Sequence, residues 1–349
     1  MRSFEHGYLL ETGISHSLLM TMRLLGEYRG RQNLYTEQFP EVLNTLRQVA
    51  VIQSTESSNR IEGINVVPER LAGLVTKKLQ PRDRSEQEVA GYRDVLASIH
   101  ANHARMRLST DLILDWHRMI YRYTSEKGGA WKKTDNAILE MRPDGRQVVR
   151  FKPVSAVGTP EFMDRLVQLF HDAMAEAKTD PLVLVASVIL DFEYIHPFKD
   201  GNGRIGRLLT LLLLYQCGYE AGRYISLERI VEESKETYYD ALYQSSQRWH
   251  QAEHDLRPWW EYFLGMLTAA YKEFESRVGT LTSAKGAKRE MVRNAVRRLP
   301  QRFSIGDLKN ACPGVSYPTL QRALADLRRE KAVRCLGRGP DAVWERTGG

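Results

Sequence analysis

Hydrophobic residues recur at helical spacing along most of this chain. In residues 41–60 the apolar positions follow one another at intervals of three and four, and similar patterns cover residues 86–103 and 110–123. Because residues three and four apart share one helix face, these segments are predicted to be amphipathic helices. After Asp180 and Pro181, which are typical of a helix N-terminus, the chain is almost wholly apolar, and this predicts a buried helix as far as residue 194.

The periodicity changes between two of these helices. Residues 137–141 and 147–151 are short extended runs, and Arg-Pro-Asp-Gly-Arg separates them at positions 142–146. Since Pro-Asp-Gly favours a turn, this segment is predicted to be a β-hairpin. A further helix over residues 204–217 is predicted to end at Gly218, because glycine readily caps a helix C-terminus. The predicted fold class is therefore mainly α with one hairpin.

The C-terminal part of the chain has a different order of elements. Helical patterns at 287–299, 304–311 and 317–332 are followed by extended segments at 333–339 and 342–348. This order is typical of a small winged helix-turn-helix, with a recognition helix at residues 316–329 and a wing that turns at 337–341 and offers Arg338. The chain is accordingly divided into an N-terminal helical region (1–109), a core with closing helices (110–278), a linker of small, polar and basic residues (279–288) and a winged-helix domain (289–349).

Composition narrows the class of protein. The 349 residues are 42% hydrophobic and 27% charged, which is typical of a folded globular protein and excludes a disordered one. No apolar run approaches the roughly 20 residues that span a bilayer, so no membrane partner is expected. Glu5 and Glu11 interrupt the N-terminus where a secretory signal needs an apolar run, and the sequence therefore predicts a cytoplasmic protein. The three widely spaced cysteines indicate no disulfide framework.

Positive charge is concentrated near the C-terminus. Residues 285–349 hold 15 Lys and Arg against 6 Asp and Glu, a net charge of +9, whereas the first 284 residues have a net charge of −2. A basic terminal unit is typical of nucleic-acid binding. Winged helices also dock proteins, and Asp326 and Glu330 lie among the basic residues of the predicted recognition helix. The sequence leaves DNA and protein open as partners of this unit.

The segment that concentrates reactive residues is His-Pro-Phe-Lys-Asp-Gly-Asn-Gly-Arg-Ile-Gly-Arg at 196–207, between two apolar helices. Glycines just before a helix let the backbone approach an anion, and the first-turn N–H groups point at it, so Gly201 and Gly203 predict a phosphate cradle. Asp200 could hold Mg²⁺, which proteins bind through one or two carboxylates and substrate phosphates. The spacing Gly-x-Gly-x-x-Gly also occurs in dinucleotide-binding loops, but those follow a strand, and here a helix is predicted.

Three side chains of this segment suit phosphate chemistry. Arg204 and Arg207 lie three apart, so they share a helix face, and guanidinium groups match phosphate or carboxylate. His196, whose pKa is ordinarily near neutrality, is the group suited to take a proton from an attacking hydroxyl.

Residues 196–207 match the whole signature His-Pro-Phe-x-(Asp/Glu)-Gly-Asn-Gly-Arg-x-x-Arg of the Fic family. Around it, residues 111–218 resemble the Fic core, and residues 138–151 resemble the family's hairpin flap. The resemblance implies an all-α fold with that hairpin, and transfer of AMP from ATP to the hydroxyl of a protein Ser, Thr or Tyr. It implies His196 as the general base and Asp200 as the Mg²⁺ ligand. It also implies that Asn202 and the backbone of residues 201–204 bind the α- and β-phosphates, and that Arg204 and Arg207 bind the outer ones.

An upstream segment matches a second pattern of the family. Ser58-Asn-Arg-Ile-Glu62-Gly63 fits the inhibitory motif (Ser/Thr)-x-x-x-Glu-(Gly/Asn). The resemblance implies that Glu62 pairs with Arg207 in the place of the γ-phosphate, so that ATP binds only in a non-productive pose. On the residues alone, Glu62 is equally an exposed acid at a helix end.

The leading hypothesis is thus an autoinhibited protein adenylyltransferase of Fic type, with an inhibitory helix in its N-terminal region and a C-terminal winged-helix domain. One alternative is a DNA-binding regulator whose core senses nucleotide. Another is a Fic enzyme that transfers UMP or phosphate. The expected partners are ATP and a hydroxyl-bearing target protein. The sequence leaves open the identity of that target, the nucleotide preference, and whether the chain is a monomer or a homodimer.

Overall fold

The computed structural model describes residues 2–5, 7–38, 40–141, 147–282, 287–312, 315–337 and 342–347. Two compact units make up the chain. The larger holds residues 1–27 and 47–271, and the smaller holds residues 28–46 and 272–349. Residues 1–27 and 47–109 of the predicted N-terminal region belong to the larger unit, and residues 28–46 belong to the smaller one. No helix in the described ranges is both long and apolar enough to cross a membrane.

The larger unit is built from helices and one hairpin. Its elements in chain order are α1 (Tyr8–Glu11), α2 (His16–Gln38, shared with the smaller unit), α3 (Pro40–Ile61, likewise shared), α4 (Pro68–Val75), α5 (Arg84–Asn102), α6 (Thr110–Ile120), β1 (Ile138–Met141), β2 (Gln147–Phe151), α7 (Thr159–Glu176), α8 (Pro181–Ile195), α9 (Asn202–Gln216), α10 (Leu227–Glu233), α11 (Lys235–Ser246) and α12 (Arg257–Thr282, again shared). The helices predicted at 41–60, 86–103, 110–123, 180–194 and 204–217 are confirmed to within three residues at each end.

Two neighbouring helices form the core that carries the reactive segment. Every residue of α8 after Pro181 is buried, and α8 packs against α7 and α9. Asp180 caps its first turn by accepting a hydrogen bond of 2.8 Å from the Leu182 N–H, as the Asp-Pro pair predicts. α9 is buried from Arg204 to Tyr215 and packs also against α5 and α6. Because both helices are fixed by burial, the loop between them has its two ends held in place.

The hairpin is confirmed as an antiparallel pair. β1 and β2 pair from Ile138 opposite Phe151 to Met141 opposite Gln147, with an irregularity after Ile138. The turn predicted at 142–146 lies outside the described residues.

The smaller unit ends with the three predicted helices and the two predicted strands, together with one strand at residues 302–304 that was not predicted. α13 (Ala287–Arg298), β3 (Arg302–Ser304), α14 (Ile305–Ala311), α15 (Tyr317–Arg329), β4 (Val333–Cys335) and β5 (Val343–Arg346) follow one another, and the sheet has the antiparallel order β3-β5-β4. Assignment of this unit to the winged-helix class stays a prediction, and the wing at 338–341, with Arg338, lies outside the described residues. The predicted linker is too long, because α12 continues through Thr282 and α13 begins at Ala287.

Candidate active site

The loop between α8 and α9 turns through two left-handed residues. His196 ends α8 with φ 47° and ψ 62°, and Gly201 precedes α9 with φ 84°. Glycine adopts this region without steric cost, whereas a residue with a Cβ does so rarely, so His196 is held in an unusual backbone conformation. The first-turn N–H groups of α9, which have no partner within their helix, follow directly after this loop.

The Asn202 side chain is hydrogen-bonded to the backbone of the loop. Its side-chain Oδ1 accepts a hydrogen bond of 2.8 Å from the Phe198 N–H, and its Nδ2 donates one of 2.9 Å to the Phe198 carbonyl. Asn202 is 2% exposed. Each end of the amide is thus bonded within the loop, and the phosphate contact expected of this side chain stays a prediction.

Residues that sequence analysis did not single out hold the loop from outside. His117 on α6 stacks on Phe198 at 3.8 Å between ring centroids, and its Nε2 lies 3.1 Å from the Asp200 carbonyl. The Lys132 ammonium donates 3.0 Å to the Ile195 carbonyl, and Asn136 Nδ2 donates 3.1 Å to the Phe198 carbonyl. Burial lowers the pKa of Lys132 to about 8. No spacing rule marks these residues, since their role depends on packing between distant segments.

His196 presents one nitrogen as an acceptor. Its Nδ1 lies 3.3 Å from the Glu193 carbonyl, which can only accept, so Nδ1 carries the proton and Nε2 carries the lone pair. Burial lowers the pKa of His196 to about 4, below the near-neutral value expected from the sequence. The imidazole is therefore neutral at physiological pH and ready to accept a proton.

The two arginines of the segment point to different partners. Arg204 is fully buried and donates 2.6 Å to Glu88 Oε2 and 2.8 Å to the Tyr121 hydroxyl. The Arg204 guanidinium is thus paired with a buried carboxylate on α5, and its expected contact with the outer phosphates stays a prediction, as does that of Arg207.

Arg207 is bound to the upstream segment at the end of α3. Its Nε donates 2.9 Å to the Ser58 hydroxyl, and its Nη2 donates 2.8 Å to the Ser58 carbonyl and 2.7 Å to Glu62 Oε1. Gly63 follows with φ 79°. A Cβ on Gly203 would lie 2.4 Å from Glu62 Oε1, so the absence of a side chain there lets the carboxylate approach α9. The structure thus brings Ser58, Glu62, Gly203 and Arg207 together.

A cavity of about 650 Å³ opens beside this cluster, a size typical of small-molecule sites. The residues that line it from the loop, α8, α9 and the end of α3 are Glu62, Glu193, Tyr194, His196, Gly203 and Arg207, and those from the hairpin and α11 include Arg150, Phe151, Lys235, Tyr238, Tyr239 and Tyr243. Arg204, Asn202 and Asp200 are not among its lining residues. Glu193, whose buried carboxyl faces the cavity, was missed by sequence analysis.

Asp200 offers a single carboxylate for a cation. Its side chain is 56% exposed; Oδ1 accepts 2.6 Å from the Gly201 N–H, and Oδ2 lies 3.8 Å from Arg204. Within the described ranges no group of three or more His, Cys, Asp or Glu is placed to hold a metal ion. One exposed carboxylate beside a phosphate cradle still fits Mg²⁺, because that ion takes its remaining ligands from phosphates and water.

Known proteins resemble this chain in the same region. Residues 107–214 match the model of the Fic/DOC family. A Fido domain-containing protein of Dictyostelium discoideum is 38% identical over 65 residues, which are 18% of this chain and 46% of that protein. A protein named protein adenylyltransferase Fic, from Nematostella vectensis, is 24% identical over 179 residues, which are 49% of this chain and 39% of that protein. The chain thus spans less than half the length of these two curated relatives.

Solved structures share the fold. A Fic family protein from Desulfovibrio desulfuricans superposes with a TM-score of 0.62 and 23% identity, over 97% of this chain and 98% of that one. A Fic domain-containing signalling protein from Bacteroides thetaiotaomicron gives a TM-score of 0.58 and 23% identity, over 73% of this chain and 97% of that one. Residues 107–214 thus form a domain of the Fic/DOC family.

Proposed function

We propose that this chain is an autoinhibited protein adenylyltransferase, which transfers AMP from ATP to a Ser, Thr or Tyr hydroxyl of a protein, itself included. The observation that carries the proposal is His196 at the cavity with Nε2 as a proton acceptor, beside Gly203 and Arg207 at the start of α9. Similarity to a named adenylyltransferase supports the reaction type. ATP and a target protein are the partners this function requires.

The proposed reaction is a displacement at the α-phosphorus. His196 Nε2 takes the proton of the target hydroxyl, the hydroxyl oxygen forms a bond to the α-phosphorus, and the bond from that phosphorus to the bridging oxygen breaks. Pyrophosphate leaves with the electron pair of that bond. First-turn N–H groups and the positive end of α9 stabilise the charge on the phosphates. Asp200 would hold Mg²⁺, which neutralises phosphate charge when bound.

Autoinhibition is proposed from the contact between Glu62 and Arg207. The Glu62 carboxylate accepts a hydrogen bond from the guanidinium that the outermost phosphate needs, and Ser58 accepts from Nε and Nη2 of the same guanidinium. ATP can then reach the cradle only with its outer phosphate displaced. Transfer therefore requires that Glu62 leave Arg207.

Labelled nucleotides test the reaction type. The full chain carrying Glu62→Gly is incubated with Mg²⁺ and ATP labelled at the α or the γ position, and label retained by protein is measured. Retention of α label is expected. Retention of γ label alone indicates phosphate transfer, retention from α-labelled UTP but not ATP indicates UMP transfer, and no retention indicates a nucleotide sensor; each overturns AMP transfer. His196→Ala should abolish retention, whereas the matched control His16→Ala, at an exposed histidine, should not.

Binding of duplex DNA by the smaller unit is a second candidate function. One face of α15 is exposed and carries a tyrosine, a glutamine and arginines, namely Tyr317, Gln321, Arg322, Arg328 and Arg329. Such a face suits the major groove, because Gln and Arg donate to base edges and arginines neutralise phosphates.

The acids of α15 do not oppose this use. Asp326 is bound by Arg289 of α13, and Glu330 accepts 2.8 Å from Arg293 of the same helix. Both acids are thus paired with arginines of α13, so their presence beside the basic residues does not argue against DNA binding.

Retardation of a duplex by the full chain at rising salt tests this candidate. Arg322→Ala with Arg328→Ala should reduce the slope of log affinity against log salt by about 2, and the exposed Arg118→Ala in the larger unit should leave it unchanged. Absence of retardation at low salt, or an unchanged slope in the double variant, favours a protein partner.

A further inference from the structure

The Glu193 carboxyl lies in the wall of the cavity, and one of its two oxygens, Oε1, is buried there without a hydrogen-bond partner among the described residues. Glu193 lies on α8, three residues before His196, and is 7% exposed. Leaving a buried polar atom unpaired is unfavourable, because the atom loses its hydrogen bonds to water and gains none in the protein. Because this unpaired carboxyl oxygen lies beside the predicted phosphate cradle, it points to a ligand that would supply the missing hydrogen bond.

α9 makes room for this carboxyl. A Cβ on Gly206 would lie 2.2 Å from Glu193 Oε1, just as a Cβ on Gly203 would lie 2.4 Å from Glu62 Oε1. The two glycines are three residues apart and so share a helix face. One carboxyl therefore rests over each of the first two turns of α9, with Arg207 beside both.

The surroundings favour the protonated form of Glu193. Burial raises the pKa of Glu193 to about 7, the Arg207 guanidinium opposes this, and the Glu62 carboxylate adds to it. Other titratable or charged groups at this wall of the cavity include the phenols of Tyr194, Tyr238 and Tyr239, the imidazole of His196, and the side chains of Arg150 and Lys235. A neutral carboxyl differs from the Glu62 carboxylate in one respect that matters here: it has an O–H to donate.

We propose that Glu193 is a phosphate-binding residue, whose neutral carboxyl donates a hydrogen bond to the outermost phosphate of a nucleoside triphosphate once Glu62 has left Arg207. The proposal rests on the proposed function, because it assumes that a nucleotide occupies the cradle. The outer phosphate then takes the place of the Glu62 carboxylate, between the Gly203 backbone and Arg207. There it meets a positive guanidinium on one side and an uncharged donor on the other.

This arrangement distinguishes a triphosphate from a diphosphate. An ionised Glu193 would repel the phosphate, whereas the neutral acid adds a hydrogen bond that a nucleoside diphosphate cannot reach. Loss of one such bond corresponds to roughly a tenfold loss of affinity.

Calorimetric titration of the full chain with ATP and ADP, in Mg²⁺ and on a Glu62→Gly background, tests the proposal. Glu193→Met removes the donor at similar length, and we expect Kd for ATP to rise about tenfold while Kd for ADP changes less than threefold. Glu193→Gln keeps an N–H donor and should retain ATP affinity at pH 7. Equal effects of Glu193→Met on ATP and ADP, or none on either, overturn the proposal.

A pH series provides a second measurement if Glu193→Met fails to fold. The Glu193→Gln protein cannot ionise at this position, so its Kd for ATP should rise less between pH 7 and pH 8.5 than that of the Glu62→Gly parent. Ionisation of the nucleotide itself affects both proteins equally. Identical pH dependence in the two proteins overturns the proposal.

The same proteins separate this inference from the proposed function. If the Glu62→Gly parent transfers α label while Glu193→Met binds ATP as the parent does, only the role of Glu193 is wrong. If the ATP-specific loss occurs but no α label is ever transferred, the role of Glu193 stands and AMP transfer is wrong.

Discussion

Glu62 Oε1 accepts a hydrogen bond of 2.7 Å from Arg207 Nη2, although the two residues are 145 positions apart. Glu62 directly follows α3, and Arg207 lies in the second turn of α9. The Glu62 side chain is 28% exposed, whereas that of Arg207 is 7% exposed. The arginine is thus fixed in the core, and the glutamate is the partner that can leave.

Removal of this carboxylate should raise automodification. Glu62→Gly frees Arg207 for the outer phosphate. We expect at least a tenfold increase in α label incorporated from ATP, because the phosphate gains one charge-assisted hydrogen bond. The matched control is Glu56→Gln, on α3 shortly before Glu62 but outside the cavity. No increase in a folded Glu62→Gly protein removes autoinhibition from the proposed function.

The pH dependence of the turnover number of the Glu62→Gly protein should not show the titration of a histidine with an ordinary pKa. Because burial lowers the pKa of His196 to about 4, the base stays neutral throughout the range from pH 8 down to about 5.5. We expect kcat at saturating ATP to be flat across that range when Glu193, whose pKa is raised to about 7, is also replaced by Gln. A midpoint near pH 6.5 would show that His196 is solvated in the working enzyme or is not the base.

Glu88 should matter for stability. Glu88→Gln leaves the fully buried Arg204 guanidinium without its carboxylate, and loss of one member of a buried ion pair costs about 3 kcal/mol. A clear fall in the thermal midpoint is expected. Glu126→Gln, at an exposed partner of Arg84, is the control and should change stability by less than about 0.5 kcal/mol. A Glu88→Gln protein as stable as the wild type contradicts this account of Arg204.

His100 should make the fold sensitive to acid. Burial lowers the pKa of His100 to about 3, and Arg223, which donates to the His100 carbonyl, adds to the effect. As pH falls, His100 is therefore protonated at a higher pH in the unfolded chain than in the folded protein. The stabilising contribution of neutral His100 is complete above about pH 6.5 and is lost progressively toward pH 3.

Thermal or denaturant unfolding at pH 7.5 and pH 5 measures this effect. The wild type should lose about 2 kcal/mol more over that interval than His100→Gln, which cannot titrate there. His16→Gln, at an exposed histidine, should behave as the wild type. Equal losses in wild type and His100→Gln show that His100 does not carry the acid sensitivity.

Much of the fold follows from local pattern. The bounds of α3, α5, α8 and α9 could be predicted because apolar spacing and caps are properties of neighbouring residues. The hairpin strands could be predicted for the same reason. The linker was predicted too long, since small and polar residues at 279–282 continue α12. Low helix propensity at these four residues is outweighed by the packing of the rest of α12, which continues the helix through them.

The candidate site divides in the same way. The segment 196–207 and the motif at 58–63 were found from residue identity and order, and Glu62 and Arg207 do meet as the resemblance implies. Glu193, His117, Lys132 and Asn136 were not found, because a single residue of each type has no recognisable spacing. Their roles depend on which distant backbone lies beside them.

The sequence by itself determined the helical elements, the hairpin strands and the reactive loop, because each depends on residues close together in the chain. Only the tertiary structure decided how Arg204 and Arg207 differ. In sequence they are equivalent, three apart on one helix face, yet Arg204 binds Glu88, which is 116 positions away, and Arg207 binds Ser58, which is 149 positions away. The physical reason is that a buried guanidinium takes the nearest carboxylate or carbonyl, and helix packing determines which of these is near.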